Sequence, residues 1–232
     1  RPPSRIHLGP RSDPTPGDTP LVVLKHSRAR ITEAFRALRT NIDFLVPPEK
    51  QLTILVTSGI AGEGKSFCSL NLASIYSVCE KKTIIVRCDM HKAFSIDSLG
   101  IPNTIGLSNY LSGQVKELSD IIRRTDYSNL DVLVSGPVPP KPAELLAGER
   151  FKSLLQELKI RYDVIILDSS PIGLTNETLY LTRMVDFSIY ILRYNYSNKG
   201  FIDDINGLRE KKKIKNLYAL INDIPDKDLH YG

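Results

Sequence analysis

Apolar residues fall along this chain in two rhythms. Short apolar runs rich in β-branched residues occur at Leu52–Val56, Thr83–Val86, Leu130–Val134, Val164–Leu167, Phe187–Leu192 and Leu217–Ile221, interrupted by Asp131 in the third and Ser188 in the fifth. Runs of that kind predict strands buried on both faces. Between them the spacing changes to that of a helix. Ile31, Phe35, Leu38, Ile42 and Leu45 mark one face of a segment from Ala29 to Leu45, which Pro47-Pro48 stops. Phe67, Leu70, Ala73 and Ile75 mark a second helix ending near Ser77. Leu145, Leu146, Phe151, Leu154, Leu155 and Leu158 predict a third, behind the proline-rich turn from Gly136 to Pro142, and Phe201 to Lys211 a fourth. Gly106–Gly113 and Val115–Arg124 read as short helices. Strands alternating with helices predict an α/β fold, a mostly parallel central sheet with helices on both faces.

One junction in this pattern carries chemistry. The first strand runs into Gly59-Ile60-Ala61-Gly62-Glu63-Gly64-Lys65-Ser66 and then directly into a helix. The spacing is G-x-x-x-x-G-K-[ST], that of a P-loop, which makes the expected α/β fold P-loop NTPase-like. Glycines let the backbone curl so that its N–H groups face phosphate oxygens, and the helix start adds the positive end of its dipole. Lys65 is placed to reach the outer phosphates and Ser66 to ligate Mg²⁺. Ligands in parallel sheets sit at the carboxyl ends of strands. There the chain has Asp89 just beyond one strand and Asp168 closing another, the second after four apolar residues as in a Walker B element. Carboxylates so placed serve Mg²⁺ beside bound phosphate. No N-K-x-D is present, since Asn198-Lys199 continues as Gly200-Phe201, so a GTPase is disfavoured. Asn222, after the last strand, is a candidate contact for adenine.

Composition changes the picture mainly at the start. The net charge is +5, and six Lys/Arg lie within Arg1–Arg30 against Asp13 and Asp18. Six of the fifteen prolines fall in the first twenty residues. Residues 1–27 therefore read as a basic, proline-rich linker and 28–232 as the P-loop domain. Basic linkers are retained on the cytoplasmic side of membrane anchors, although a plain tail has the same composition. No apolar run approaches the roughly 20 residues of a membrane span, so the chain itself is expected to be soluble, and its Arg1 start suggests a fragment. Cys68, Cys79 and Cys88 lack metal-ligand spacing and read as reduced thiols in the cytosol. The lysine run from Lys211 to Lys215 has no interleaved aromatics. It reads as a solvated helix end, which argues against nucleic acid as a partner.

Taken together, these motifs resemble the cytoplasmic domain of bacterial tyrosine kinases (BY-kinases) that control capsule and exopolysaccharide export, within the MinD-like deviant-Walker ATPases. The resemblance runs from Leu21 to Gly232. It implies an ATP- and Mg²⁺-dependent kinase in which Gly59, Ala61, Gly62, Glu63, Gly64, Lys65, Ser66 and Phe67 hold phosphates and Asn222 the base. Ser66, Asp89 and Asp168 would serve the metal. Glu33, Arg36 and Arg39 match the family's oligomerisation motif, implying a ring of identical subunits. Tyr231, in the final His230-Tyr231-Gly232, resembles the first of the family's C-terminal phosphoacceptors. The implied location is the cytoplasmic side of the bacterial inner membrane, with a transmembrane polysaccharide co-polymerase segment in the same or a partner chain. The departure is at the second Walker element. The family pattern D-x-D-x-R reads here Arg87-Cys88-Asp89-Met90-His91. Guanidinium has no acceptor and cannot replace a carboxylate that orients a tyrosine hydroxyl. At about 6 Å from Mg²⁺ and an effective dielectric near 20 it would be repelled by roughly 5–6 kcal/mol, so Arg87 is expected to turn toward phosphate or out of the site. Two alternatives stay open: an ATP-gated assembly module with impaired catalysis, and a MinD- or ParA-type positioning ATPase.

Overall fold

The computed structural model describes residues 6–7, 21–25, 30–47, 50–91, 99–211, 214 and 216–225. Eight strands form one sheet: β1 (Ile6–His7), β2 (Leu52–Ser58), β3 (Thr83–Arg87), β4 (Ile122–Arg124), β5 (Leu130–Leu133), β6 (Val164–Asp168), β7 (Phe187–Arg193) and β8 (Leu217–Asn222). Their order across the sheet is β1-β8-β7-β2-β6-β3-β5-β4. All neighbours are parallel except β4, which runs antiparallel to β5. The helices are α1 (Val22–Lys25), α2 (Arg30–Asp43), α3 (Lys65–Val78), α4 (Leu107–Leu111), α5 (Pro142–Ala147), α6 (Glu149–Arg161), α7 (Glu177–Leu181) and α8 (Phe201–Lys211).

Alternate residues of the central strands face two cores, which is why these strands read as continuous apolar runs. Ile54, Val56, Ile85 and Ile166 pack with Phe35, Leu38, Phe67 and Leu72 of α2 and α3. Leu55, Ile84, Val86, Ile165 and Leu167 pack with Leu146, Leu154 and Leu158 of α5 and α6 on the other face. Helices thus cover both faces. Inside the stretch expected as linker, Leu21 and Val23 are buried in the first core and Ile6–His7 pairs with β8.

Three expectations need correction. Val115–Arg124 is not a helix: it forms a single 3₁₀ turn at Leu118–Asp120 and then β4, whose Ile122 pairs opposite Leu133. The edge of the sheet needed a strand, and local pattern does not reveal an edge. The helix expected to run through Leu145 and Leu158 is two helices, because Gly148 is extended and begins a new one. Leu45, counted on the apolar face of α2, lies beyond the helix end and is exposed, as is Phe44. The short α7 had no sequence signal. In the lysine run, residues 212, 213 and 215 lie outside the described residues, as do 226–232 with Tyr231.

Candidate active site

The P-loop joins β2 to α3. Gly62 and Gly64 have φ of 85° and 93°, a left-handed conformation that glycine adopts without penalty. A Cβ at Gly64 would lie 2.2 Å from Asn222 Nδ2, so that position also needs its lack of a side chain. α3 starts at Lys65 with no side-chain cap, which leaves its first N–H groups open toward the loop. Lys65 Nζ lies 3.0 Å from Ser58 Oγ and 3.5 Å from the Ile60 carbonyl, folded over the loop it would serve. Ser66 is exposed, while the Phe67 side chain is buried in the core, which leaves its backbone N–H as the group that would face phosphate.

A brace holds the loop from the β7–α8 side, and sequence pattern gave no hint of it. Glu63 is fully buried; its carboxylate accepts from Ile60 N–H at 2.9 Å and from the Ser197 hydroxyl. Asn222 Nδ2 donates to the Glu63 carbonyl at 3.1 Å, Arg193 Nη1 to the Gly62 carbonyl at 3.2 Å, and the Tyr196 hydroxyl to the Ala61 carbonyl at 3.1 Å. Arg193 is itself tied to Asp223 at 2.8 Å and lies over the Tyr196 ring. Asn222 therefore has a structural task in the loop in addition to any contact with a base.

The acids converge as strand order requires, because β6 lies between β2 and β3. Register sets Asp168 beside Val56 on one side and Arg87 on the other. The Asp168 carbonyl accepts from Cys88 N–H at 2.8 Å and Asp89 N–H at 3.2 Å. Asp89 Oδ1 accepts from Ser170 Oγ at 3.1 Å and His91 N–H at 3.2 Å. The thiol of Cys88, between the two acids, is pushed well up, by burial first and then by Asp168 and Asp89, so it stays protonated and is no nucleophile. Arg87 takes neither expected direction. Its Nε lies 3.0 Å from Asp168 Oδ2, with side chains only 12% and 1% exposed. His91, the other departure, contacts Glu177 of α7, a buried acid that sequence reasoning missed.

The residues present fit nucleotide phosphate and Mg²⁺. The loop offers open N–H groups, Ser66 an exposed hydroxyl, and Asp168 Oδ2 is a buried acceptor with no aligned hydrogen bond among the described residues. Among the described residues no three His, Cys, Asp or Glu gather as a cage. Mg²⁺ beside phosphate ordinarily takes only one or two carboxylates.

Of the stripe Glu33, Arg36 and Arg39 on α2, the first two side chains are exposed and Arg39 is half-buried. Arg36 contacts Glu33 one turn away, and Arg39 Nε lies 3.6 Å from Asp43 while its Nη1 contacts Cys79 Sγ.

Fold and site define a P-loop NTPase domain, and residues 50–218 match the family model described as AAA domain. The chain is 34% identical to CapB of Staphylococcus aureus over 92% of this chain and 93% of that protein. It is 32% identical to the tyrosine-protein kinase wzc of Salmonella typhi over 79% of this chain, which spans only 26% of wzc. Among solved structures, the kinase domain of the Escherichia coli tyrosine kinase ETK superposes with a TM-score of 0.85 at 25% identity, covering 99% of this chain and 95% of that one. The chain belongs to the bacterial tyrosine-protein kinase family.

Proposed function

We propose that this chain phosphorylates tyrosines near the C-termini of neighbouring copies of itself, using Mg-ATP, and thereby regulates export of a capsular or extracellular polysaccharide. The observation that carries the reading is the convergence of the P-loop, Lys65, Asp89 and Asp168 at adjacent strand ends in a member of the tyrosine-kinase family. Loop N–H groups and the start of α3 hold the phosphates. Lys65 leaves Ser58 and the Ile60 carbonyl for the outer phosphates, where its charge is worth more. Ser66, Asp89 and Asp168 hold Mg²⁺, which when bound neutralises charge on the transferring phosphoryl group. Asp89, half-buried and pinned by Ser170, is the carboxylate nearest in sequence to the missing first acid.

Ring assembly through Glu33, Arg36 and Arg39 is supported by the exposed Glu33 and Arg36 on α2 and by the exposed Phe44 and Leu45 at its end, an apolar patch beside a charged one. Tyr231 is the proposed acceptor. The part of residues 1–27 outside β1 and α1 links the domain to a membrane co-polymerase segment on the cytoplasmic side. Among the described residues no helix is long and apolar enough to cross a membrane.

The ion pair of Arg87 with Asp168 favours a second reading, in which nucleotide binding gates assembly and phosphotransfer is slow. Titration of a fluorescent ADP analogue in Mg²⁺ against wild type and Lys65→Ala tests what both readings share. At least a tenfold weaker affinity in the variant is expected, about one lost charge-assisted contact. Equal affinities would contradict the site.

A further inference from the structure

Asp168 already has a cation. β3 and β6 are parallel neighbours whose register sets Arg87 opposite Asp168, and the backbone bonds from Cys88 and Asp89 to the Asp168 carbonyl fix that register at the strand ends. Both side chains are withdrawn from water, and Arg87 Nε stands 3.0 Å from Asp168 Oδ2. Neither atom makes an aligned hydrogen bond among the described residues. The pair is thus balanced in charge while Oδ2, buried beside the guanidinium, keeps its directional acceptor capacity unspent. With aspartate at position 87 the three strand-end groups 87, 89 and 168 would carry three negative charges, and anionic phosphate would need a divalent cation to approach. With arginine they carry one.

We propose that Arg87 is a built-in counter-ion to Asp168 that supplies part of the charge compensation Mg²⁺ would otherwise provide, so that this chain binds ADP and ATP with an affinity that depends little on Mg²⁺. Arg87 is on this account a positioning and charge-compensating residue; the inference rests on the nucleotide site assigned above. It separates holding nucleotide, which the protein does with its own cation, from transferring phosphoryl, which still calls for the metal. A subunit so built keeps nucleotide, and any assembly that nucleotide supports, when free Mg²⁺ falls.

The test is the affinity of the full chain for a fluorescent ADP analogue, measured in Mg²⁺ and again in EDTA, for wild type, Arg87→Asp and Arg87→Met. The ratio of the two affinities is the readout, and it does not involve catalysis. Wild type is expected to show a ratio within a few fold. Arg87→Asp is expected to raise the ratio at least about tenfold, the equivalent of one lost ionic contact, by weakening binding in EDTA while binding in Mg²⁺ is kept. Arg87→Met, which keeps the bulk and removes the charge, is expected to fall between, and it serves alone if the aspartate variant does not fold. The same steep Mg²⁺ dependence in all folded proteins would overturn the role of Arg87 while leaving the nucleotide site intact. Failure of wild type to bind in either condition would overturn the site itself.

Discussion

Arg87 was legible as a departure from pattern but its placement was not, because a side chain's partner depends on strand register across the sheet. Once β3 and β6 are paired, the guanidinium has a buried carboxylate within reach and takes it. Breaking such a pair from one side leaves a buried charge without a partner, which costs about 3–5 kcal/mol. Asp168→Asn is therefore expected to lower the unfolding free energy by that order in urea denaturation, and Asp168→Asn with Arg87→Met to recover much of it. If the single variant is as stable as wild type, the pair is not a buried ion pair. Cysteine chemistry follows from the same neighbourhood. Cys68 and Cys88 are buried and Cys79 exposed, and Cys88 is held as a thiol by burial and by its two acidic neighbours. A thiol reagent added to the native protein is expected to modify Cys79 alone within minutes, with the other two reacting only on unfolding. Fast modification of Cys88, read by peptide mass, would contradict the site's geometry.

At the scale of elements, the strands and the P-loop were legible because their signals are local. A strand buried on both faces must be apolar throughout, and a loop that turns its N–H groups inward must carry glycine. The brace on that loop was not legible, since Arg193, Tyr196, Ser197 and Asn222 meet Ala61, Gly62 and Glu63 only after β7 and β8 are in place. Nor could pattern reveal that Gly148 divides α5 from α6, or that Ile122–Arg124 closes a sheet edge. The packing of α2 against α3 makes its own prediction. Tyr76 of α3 donates to Asp43 of α2 at 3.0 Å, and its hydroxyl is pushed far above the ordinary value of 10.0 by burial first and then by Asp43. Above about pH 10 the unfolded chain releases this proton and the folded chain keeps it, so rising pH favours unfolding. Stability from the neutral phenol is present below about pH 10 and declines above it. Tyr162 and Tyr190 shift the same way, also chiefly by burial, so Tyr76→Phe is expected to reduce the alkaline slope of the urea midpoint without abolishing it. Identical slopes for variant and wild type would contradict the buried Tyr76–Asp43 contact.

For the molecule as a whole, resemblance and fold agree: a kinase domain whose chain spans nearly all of CapB and about a quarter of wzc. Its behaviour as an assembly turns on α2. Among the described residues the Glu33 and Arg36 side chains pair with each other on the outer side of α2, an arrangement worth no more than about 0.5 kcal/mol to the fold. Replacing Glu33 and Arg36 with Ala should therefore barely change stability yet shift the mass measured by light scattering toward monomer. Equal masses for both proteins across concentrations would reduce the stripe to a solvated face. Phosphotransfer itself is read as phosphotyrosine formed per unit time at saturating Mg-ATP by wild type, Lys65→Ala and Arg87→Asp, on the chain itself and on a tyrosine-containing tail peptide. The account predicts slow transfer by wild type, loss of it in Lys65→Ala, and a gain on the order of 10²-fold in Arg87→Asp, the lower end of general-base assistance. Transfer by wild type that survives loss of Lys65 would contradict the assigned site. A brisk wild type that slows in Arg87→Asp would contradict the impairment and make Arg87 a catalytic residue.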